Sequence, residues 1–315
     1  MRQLTYSTDS NGIRERVIKF IVNPVSGNGR TSKILPRLIA IAEKLGVHFD
    51  LQVTQAPQHA TELADDPSDD FDVMVAVGGD GTVNEVAAGA LKSKKTMGVI
   101  PTGTGNDFAR ALGRLANRVS SGKSLSDHLR GVMKGKVRSI DVGSVQMDNK
   151  EFLFVNGVGV GFDAEVARAT QSIHRFQGIS KYLLAVVKTL SKYKSSFMEI
   201  ELDDRAIEQK TFLVAIGNGI SSGGGFLLTP DAVLDDGFLD ACIVSDVSVP
   251  TVLQVLPRVL NGSHVKHPKV LMARAKRIVI RSDTPVAIHR DGEVRLANVD
   301  GLSVRIMPDS LKITG

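Results

Sequence analysis

The sequence predicts an α/β fold: a doubly wound, mostly parallel-sheet domain in the first part of the chain, then a second, antiparallel β-rich domain of sandwich type. Three observations carry this. Val73-Met74-Val75-Ala76-Val77 is apolar without polar alternation, the pattern of a strand covered on both faces. Strands of that kind alternate with helical stretches as far as Leu112. After Val137 the pattern changes to short strands joined by polar turns. A length of 315 residues also exceeds what one core usually serves. The expected division is 14–137 for the first domain and 138–301 for the second, preceded by a polar tail over 1–13; whether 302–315 joins the first is not set by pattern.

Taken in order, Arg16–Val22 reads as a strand and Asn23-Pro24-Val25-Ser26-Gly27-Asn28-Gly29-Arg30 as a small-residue loop. A helix over Ser32–Leu45 stops at Gly46. A strand near 47–53 and a helix near 58–65 lead to the strand 73–77, the turn Gly78-Gly79-Asp80-Gly81-Thr82 and a helix near 83–92. A short strand at 97–100, the loop Pro101-Thr102-Gly103-Thr104-Gly105-Asn106-Asp107 and a helix near 106–112 complete the repeat. In the second part, Val137–Val145 and Phe152–Asn156 flank a polar turn at Met147–Lys150 and read as a hairpin. Further strands fall near 197–202, 211–216, 238–244, 276–281 and 284–288, with helices at Ser180–Lys194 and Thr251–Leu260. The terminal strand Leu302–Pro308 suits either domain by pattern.

Three strand-to-helix turns rich in Gly, Ser, Thr and Asn converge on one edge of such a sheet, beyond the carboxyl ends of the strands, where ligands collect. Gly78, Gly79 and Gly81 let a ligand approach backbone N–H groups. Asp80 reaches a magnesium ion or its waters, and Thr82 donates to a phosphate oxygen near a helix N-terminus. Gly-Gly-Asp-Gly is also ordinary turn chemistry, so one such loop means little and three on one sheet mean more.

The segments Asn23-Pro24-x-Ser26-Gly27, Gly78-Gly79-Asp80-Gly81-Thr82-Val83-Asn84-Glu85 and Gly103-Thr104-Gly105-Asn106-Asp107-Phe108-Ala109-Arg110, in this order, resemble the diacylglycerol-kinase catalytic-domain family. Its soluble bacterial lipid kinases are the closest in pattern, since the similarity runs over nearly the whole chain. Asp291-Gly292-Glu293 is similar to the Asp-Gly-Glu that supplies that family's general base. The Gly-Gly-Asp-Gly turn is shared with NAD kinases and phosphofructokinases; the third loop and the late Asp-Gly-Glu narrow the resemblance to lipid kinases.

That resemblance implies an ATP- and Mg²⁺-dependent transfer to the hydroxyl of diacylglycerol or a similar lipid, in a cleft between the two domains. ATP is then bound by Asn23, Thr54, Gly78, Gly79, Asp80, Gly81, Thr82, Val83, Asn84, Thr104 and Asp107. Asp80 and Asp107 work with the catalytic magnesium, and Glu293 deprotonates the acceptor. A second, structural magnesium is held by Asp236 and the carbonyls of Val233 and Phe238, with Asp235 the competing carboxylate. Each residue also has a plain explanation. Asp107 caps a helix, Thr54 ends a strand, Asp291-Gly292 is a common hairpin dipeptide, and 231–238 is an acidic surface turn. Gly223-Gly224-Gly225 with Phe226-Leu227-Leu228, and Gly157–Phe162, either shape an acyl-chain pocket or are packing glycines.

Composition narrows the alternatives. Apolar residues make up 42% and charged residues 23%, ordinary for a folded globular chain. Met1–Gly12 has no apolar secretory segment, and no run approaches the length of a membrane span. A lipid acceptor is therefore met at the membrane surface, and a cytoplasmic location at its inner face is expected. Cys242 is the single cysteine, which excludes an intrachain disulfide and suits a small buried hydrophobe. The net charge of +5 gathers at Lys92–Lys95, Lys188–Lys194 and His264–Lys269. A solvated surface explains each cluster by itself; taken with the resemblance, attraction to an anionic leaflet is the alternative. Nucleic acid is disfavoured, because no recognition helix or stacking platform accompanies the charge and aromatics are 5%. Two rivals remain: an NAD-kinase-like kinase of a soluble substrate, and a catalytically silent nucleotide- or lipid-binding regulator. Lipid identity and oligomeric state, a homodimer included, stay open.

Overall fold

The computed structural model describes residues 17–68, 70–115, 124–147, 150–173, 176, 178–297 and 300–315. The polar tail expected at 1–13 lies outside them, as does the centre of the 147–150 turn. Two compact units divide the chain. One takes in the described residues within Met1–Ala109 and Val119–Ile140 together with Ser310–Gly315, the other those within Arg110–Arg118 and Asp141–Asp309.

In the first unit the elements run β1 (Val17–Val22), α1 (Ser26–Lys44, left-handed rather than helical at Gly27, Asn28 and Gly29), β2 (His48–Val53), α2 (His59–Ala64), β3 (Val73–Gly78), α3 (Asp80–Ser93), β4 (Thr96–Pro101), α4 (Asp107–Leu115) and α5 (Leu125–Lys134). The strands lie in the order β2-β1-β3-β4, every pair parallel. All six residues of β1 and of β3 are buried. Ile18, Phe20, Val75 and Val77 share a core with Leu38 of α1 and with Leu129 and Val132 of α5. Met74 and Ala76, one residue out of phase, point to the opposite face, where α2 and α3 pack on each other. The doubly wound sheet is thus as the sequence predicts. Helix α5 was absent from the predicted pattern although it opens on a legible capping box: Ser124 Oγ accepts from Asp127 N, and the Asp127 carboxylate accepts from Ser124 N.

The second unit runs β5 (Arg138–Met147), β6 (Lys150–Phe154), β7 (Gly157–Gly161), α6 (Phe162–Gln171), α7 (Gly178–Leu190), β8 (Ser196–Leu202), β9 (Arg205–Gly217), β10 (Leu239–Ser245), α8 (Val249–Val259), a 3₁₀ turn at Ser263–Lys266, β11 (Val270–Ala275), β12 (Arg277–Ser282), β13 (Val286–Arg290), β14 (Glu293–Ala297) and β15 (Asp300–Thr314). Its strand order is β14-β13-β7-β9-β8-β12-β15, with β10 and β11 branching from β9 and β6 pairing β5. The pairs β5/β6, β7/β9, β8/β9, β8/β12, β12/β15, β13/β7 and β13/β14 are antiparallel. One core joins Phe154, Val160, Ile200, Ile216, Ile243, Ile280 and Val304; another joins Phe162, Val186, Phe212, Phe226 and Cys242 with α6, α7 and α8.

Several elements escaped the pattern. Strand β7 is Gly-Val-Gly-Val-Gly, poor in strand propensity. Gly159 is required there because a Cβ would lie 2.3 Å from His289 Nε2 and 2.4 Å from Asp163 Oδ2. The terminal strand is also longer than expected. Residues 300–305 pair with β12, while Ile313 and Thr314 pair parallel with β4 in the first unit.

Candidate functional site: a glycine-rich sheet edge and an apolar cavity

At the carboxyl edge of the first unit's sheet the chain leaves each strand on small residues, and contact between the loops makes them necessary. Gly27 has φ +61°, and a Cβ on it would stand 2.4 Å from the Thr102 carbonyl oxygen. A Cβ on Gly103 would stand 2.5 Å from the Gly79 Cα. The loops after β1, β3 and β4 therefore touch backbone to backbone. Thr102 N and Gly103 N both donate to Gly78 O (2.8 and 3.2 Å). Thr31 Oγ1 and Thr102 Oγ1 share a buried hydrogen bond of 2.5 Å.

Side chains complete the edge. Asn23 Nδ2 donates to Thr82 Oγ1 (3.0 Å), and Thr54 N donates to Val22 O (2.9 Å), so Thr54 sits beside Asn23. Asp80 is the first residue of α3, and its Oδ1 accepts from Phe108 N (3.1 Å) at the start of α4. It thus ties the second loop to the third. Asp107 and Asn84 are buried, Thr104 and Gly81 are exposed, and the Val83 side chain packs in the core with its N–H given to Gly79 O. Asn106, at φ +54°, donates to Gly103 O, while its buried Oδ1 has no hydrogen-bond partner. Glycines that exclude a Cβ and an orphaned buried oxygen suit a phosphate group with its cation at the N-termini of α3 and α4. Asn106 and Thr31 were missed in the sequence reading. Thr31 carries no motif signal, and Asn106 stands there only within the third loop's motif, beside the capping Asp107.

Glu293 opens β14 in the second unit, after a turn in which Asp291 and Gly292 both have positive φ, the geometry a two-residue hairpin requires. It is exposed, and its carboxylate is hydrogen-bonded to Arg290 Nη2. Asp291 behaves otherwise. It accepts from Val155 N (2.9 Å), Asn156 N (3.1 Å) and Gly157 N (2.8 Å). Burial raises its pKa, and the three N–H donors offset part of that rise. This carboxylate staples the β6–β7 loop.

The acidic loop is a second cluster of carboxylates. Asp141 Oδ2 accepts from Gly237 N (2.7 Å) and its Oδ1 from Asp309 N (2.9 Å). Asp235 and Val233 are exposed. Asp236 and Phe238 are half-buried, with Asp236 paired to Arg274, which also stacks on the Phe238 ring. Asp240 is buried, and its Oδ2 accepts no hydrogen bond, Arg274 Nε being 3.8 Å away. Burial, with Asp236 and Asp231 nearby and only Arg274 opposing, pushes Asp240 up to about 6. An orphaned carboxylate oxygen among like charges fits a hard cation, although among the described residues no preformed cluster of three or more metal-ligating side chains occurs.

A partly open apolar cavity of about 90 Å³ lies in the second unit, walled by Phe162, Val186, Phe212, Phe226, Val255 and Leu256 among others. Of the segments expected either to shape such a pocket or merely to pack, Phe162, Phe226 and Leu228 line it. At its wall stands a buried polar group. Asp163 accepts from Tyr182 Oη and is 2.7 Å from His289 Nε2. Burial alone would raise Asp163, but the His289 imidazole and the Tyr182 hydroxyl outweigh it and hold the carboxyl low. Burial likewise opposes charge on His289, and Asp163 outweighs it, so the imidazole is raised. Cys242 lines the same cavity, its thiol pushed up to about 12 by burial, which leaves it unreactive.

Comparison with known proteins agrees with this division. The family model for the diacylglycerol kinase catalytic domain matches residues 17–145, and that for the YegS C-terminal NAD kinase beta sandwich-like domain matches 156–315. The chain is 32% identical over 279 residues to a diacylglycerol kinase of Staphylococcus epidermidis, covering 87% of this chain and 85% of that one. It is 31% identical, over 87% and 88%, to a diacylglycerol kinase of Staphylococcus saprophyticus. A crystal structure of a diacylglycerol kinase from Bacillus anthracis superposes with a TM-score of 0.67 at 20% identity, over 95% and 96% of the two chains, and shows the shared fold. This chain is therefore a kinase and a member of the diacylglycerol kinase family.

Proposed function

We propose that this kinase moves the γ-phosphoryl group of ATP to the hydroxyl of a diacylglycerol-type membrane lipid. The observation that carries the lipid reading is the apolar cavity of the second unit. An almost wholly apolar wall offers few hydrogen-bond partners to a soluble sugar or dinucleotide, and it suits alkyl chains. The names of the Staphylococcus relatives point to the same acceptor class.

In this reading the backbone N–H groups of the Gly78–Thr82 turn and the start of α3 hold the nucleotide phosphates, with Asn23 orienting Thr82. Thr54, Asn84 and Thr104 complete the nucleotide site. Magnesium, when bound at Asp80 and Asp107, neutralises phosphate charge as it shifts to the leaving oxygen. Glu293 takes the proton from the lipid hydroxyl; Arg290 orients its carboxylate. Asp291 is not a second base, because three N–H groups occupy it. Asp236, Asp240 and the carbonyls of Val233 and Phe238 would hold a structural magnesium that draws the acidic loop together.

Labelled ATP incubated with the protein, Mg²⁺ and either diacylglycerol, a sphingoid base or phosphatidylglycerol in mixed micelles, or NAD in solution, tests the proposal. Label in phosphatidic acid, lost on chelation of Mg²⁺, is the expected result. Label only on NAD would replace the lipid with a soluble acceptor, and no label anywhere would favour a silent binder.

A further inference from the structure

Helices α7 and α8 are apolar on the sides that wall the cavity, through Tyr182 and Val186 on one and Val252 and Leu256 on the other. Their outward sides are apolar too. Val187 is 57% exposed and Leu253 49% exposed, with Leu184, Val249 and Leu260 also open to solvent. On α7 the exposed positions 184, 187 and 188 lie on one helical stripe, and on α8 positions 249, 253 and 257 form another that Leu260, just past the helix end, continues. A helix apolar all round belongs inside a core or against another apolar phase. Five large apolar side chains exposed on two helices that wall one cavity exceed the scattered singles of an ordinary surface.

Charge says what covers them. Asp and Glu number 34 in the 315 residues, yet none occurs from Val166 to Met198 or from Val247 to Ser282, the windows that contain the two helices. Lys188 and Lys192 stand on or just after the α7 stripe, and Arg258, Lys266 and Lys269 on or after α8. Asp246, the acid nearest α8 in sequence, is paired with Lys210. Apolar side chains set among cations, with no acid in their own windows and Glu165 of the packed α6 paired to Arg168, match a layer with an acyl interior and a negatively charged surface.

We propose that the outward faces of α7 and α8 dock the second unit on an anionic lipid bilayer, setting the cavity behind them against the layer that supplies the acceptor. This rests on the acceptor being a membrane lipid. The two ideas are separated by measuring vesicle binding and turnover independently, on the full chain. Wild type should co-sediment with phosphatidylglycerol vesicles and not with phosphatidylcholine vesicles, and salt should weaken the binding. The pairs Leu184→Asp with Val187→Asp, and Leu253→Asp with Leu260→Asp, should each lower partitioning roughly tenfold or more. Lys188→Gln should lower it by roughly fivefold. None of these residues lines the cavity, so turnover of a short-chain, water-dispersed diacylglycerol should persist in all of them. Unchanged vesicle partitioning in both Asp pairs would overturn the docking surface, as would a wild-type dimer that these substitutions dissociate. Vesicle capture through the two helices without any lipid phosphorylation would leave the docking surface standing and remove the lipid acceptor.

Discussion

The glycine-rich edge of the first unit and the apolar cavity of the second are built in opposite ways. At the edge, backbone meets backbone: Gly27, Gly79 and Gly103 matter because of atoms they lack, and the groups offered to a ligand are amides at helix starts. At the cavity the surface is side chain throughout, drawn from α6, α7, α8, β9, β10 and β11. The first kind of site fixes one charged group tightly, and the second accepts length and shape. The proposed transfer from a nucleotide to a lipid has use for both.

The sharpest way to break that contrast is at Asp80. Asp80→Ala should abolish turnover with every acceptor and weaken Mg–ATP binding, while the lost hydrogen bond to Phe108 N costs about 1 kcal/mol of stability. Asp80→Asn keeps an acceptor oxygen and should restore the melting temperature without restoring turnover. Wild-type turnover in either variant would take the metal role from this residue. Next in size is Glu293→Gln, which should lower turnover by roughly 10²- to 10⁴-fold and leave calorimetric ATP affinity and lipid KM alone. A near-normal rate would hand the proton to Asp107 or to water.

On the cavity side the effect should be confined to the acceptor. Val252→Phe, filling space at the wall, should raise KM for long-chain diacylglycerol by roughly tenfold, the scale of a few misplaced methylenes, and leave ATP affinity untouched. Loss of ATP affinity in that variant would erase the division of labour. The smallest effect concerns Asp240. Its folded pKa, about 6, lies above the ordinary 3.8. Between those values the unfolded chain has released a proton that the folded chain still holds, so stability falls as pH rises through about 4 to 6 and is level above. A bound cation opposes that loss, and Mg²⁺ should therefore raise the melting temperature more at pH 7 than at pH 5. Asp240→Asn should flatten the pH dependence and shrink the Mg²⁺ response by a few degrees. A response equal to wild type would take the cation away from this loop.

The same contrast explains what could be read without coordinates. The three loops are contiguous motifs after apolar strands, so strand, turn and helix were each visible, and the touching of Gly79 and Gly103 is what that repetition implies. Asp291 was legible only as a hairpin residue. Its grip on 155–157 depends on a loop far away in the chain, and no local pattern encodes that. Strand β7 hid because its alternate residues are glycines, one of them reserved for the His289–Asp163 contact. The cavity was legible only in part: Phe162, Phe226 and Leu228 come from segments read as either pocket or packing, while the walls from α7 and α8 look locally like any core. Helix α5 is a different case, since its capping box was there to be read.

The last turn of chain in β15 has a consequence for synthesis. Ile313 and Thr314 extend the sheet beside Met97 and Gly98, and Thr314 Oγ1 reaches the carbonyls of Val132 and Gly135. A ribosome delivers β4 roughly two hundred residues before this partner, so for many seconds the nascent first unit carries a bare strand edge, the template on which chains aggregate. Removing residues 310–315 should leave that edge bare in the folded chain and raise the aggregated fraction on expression.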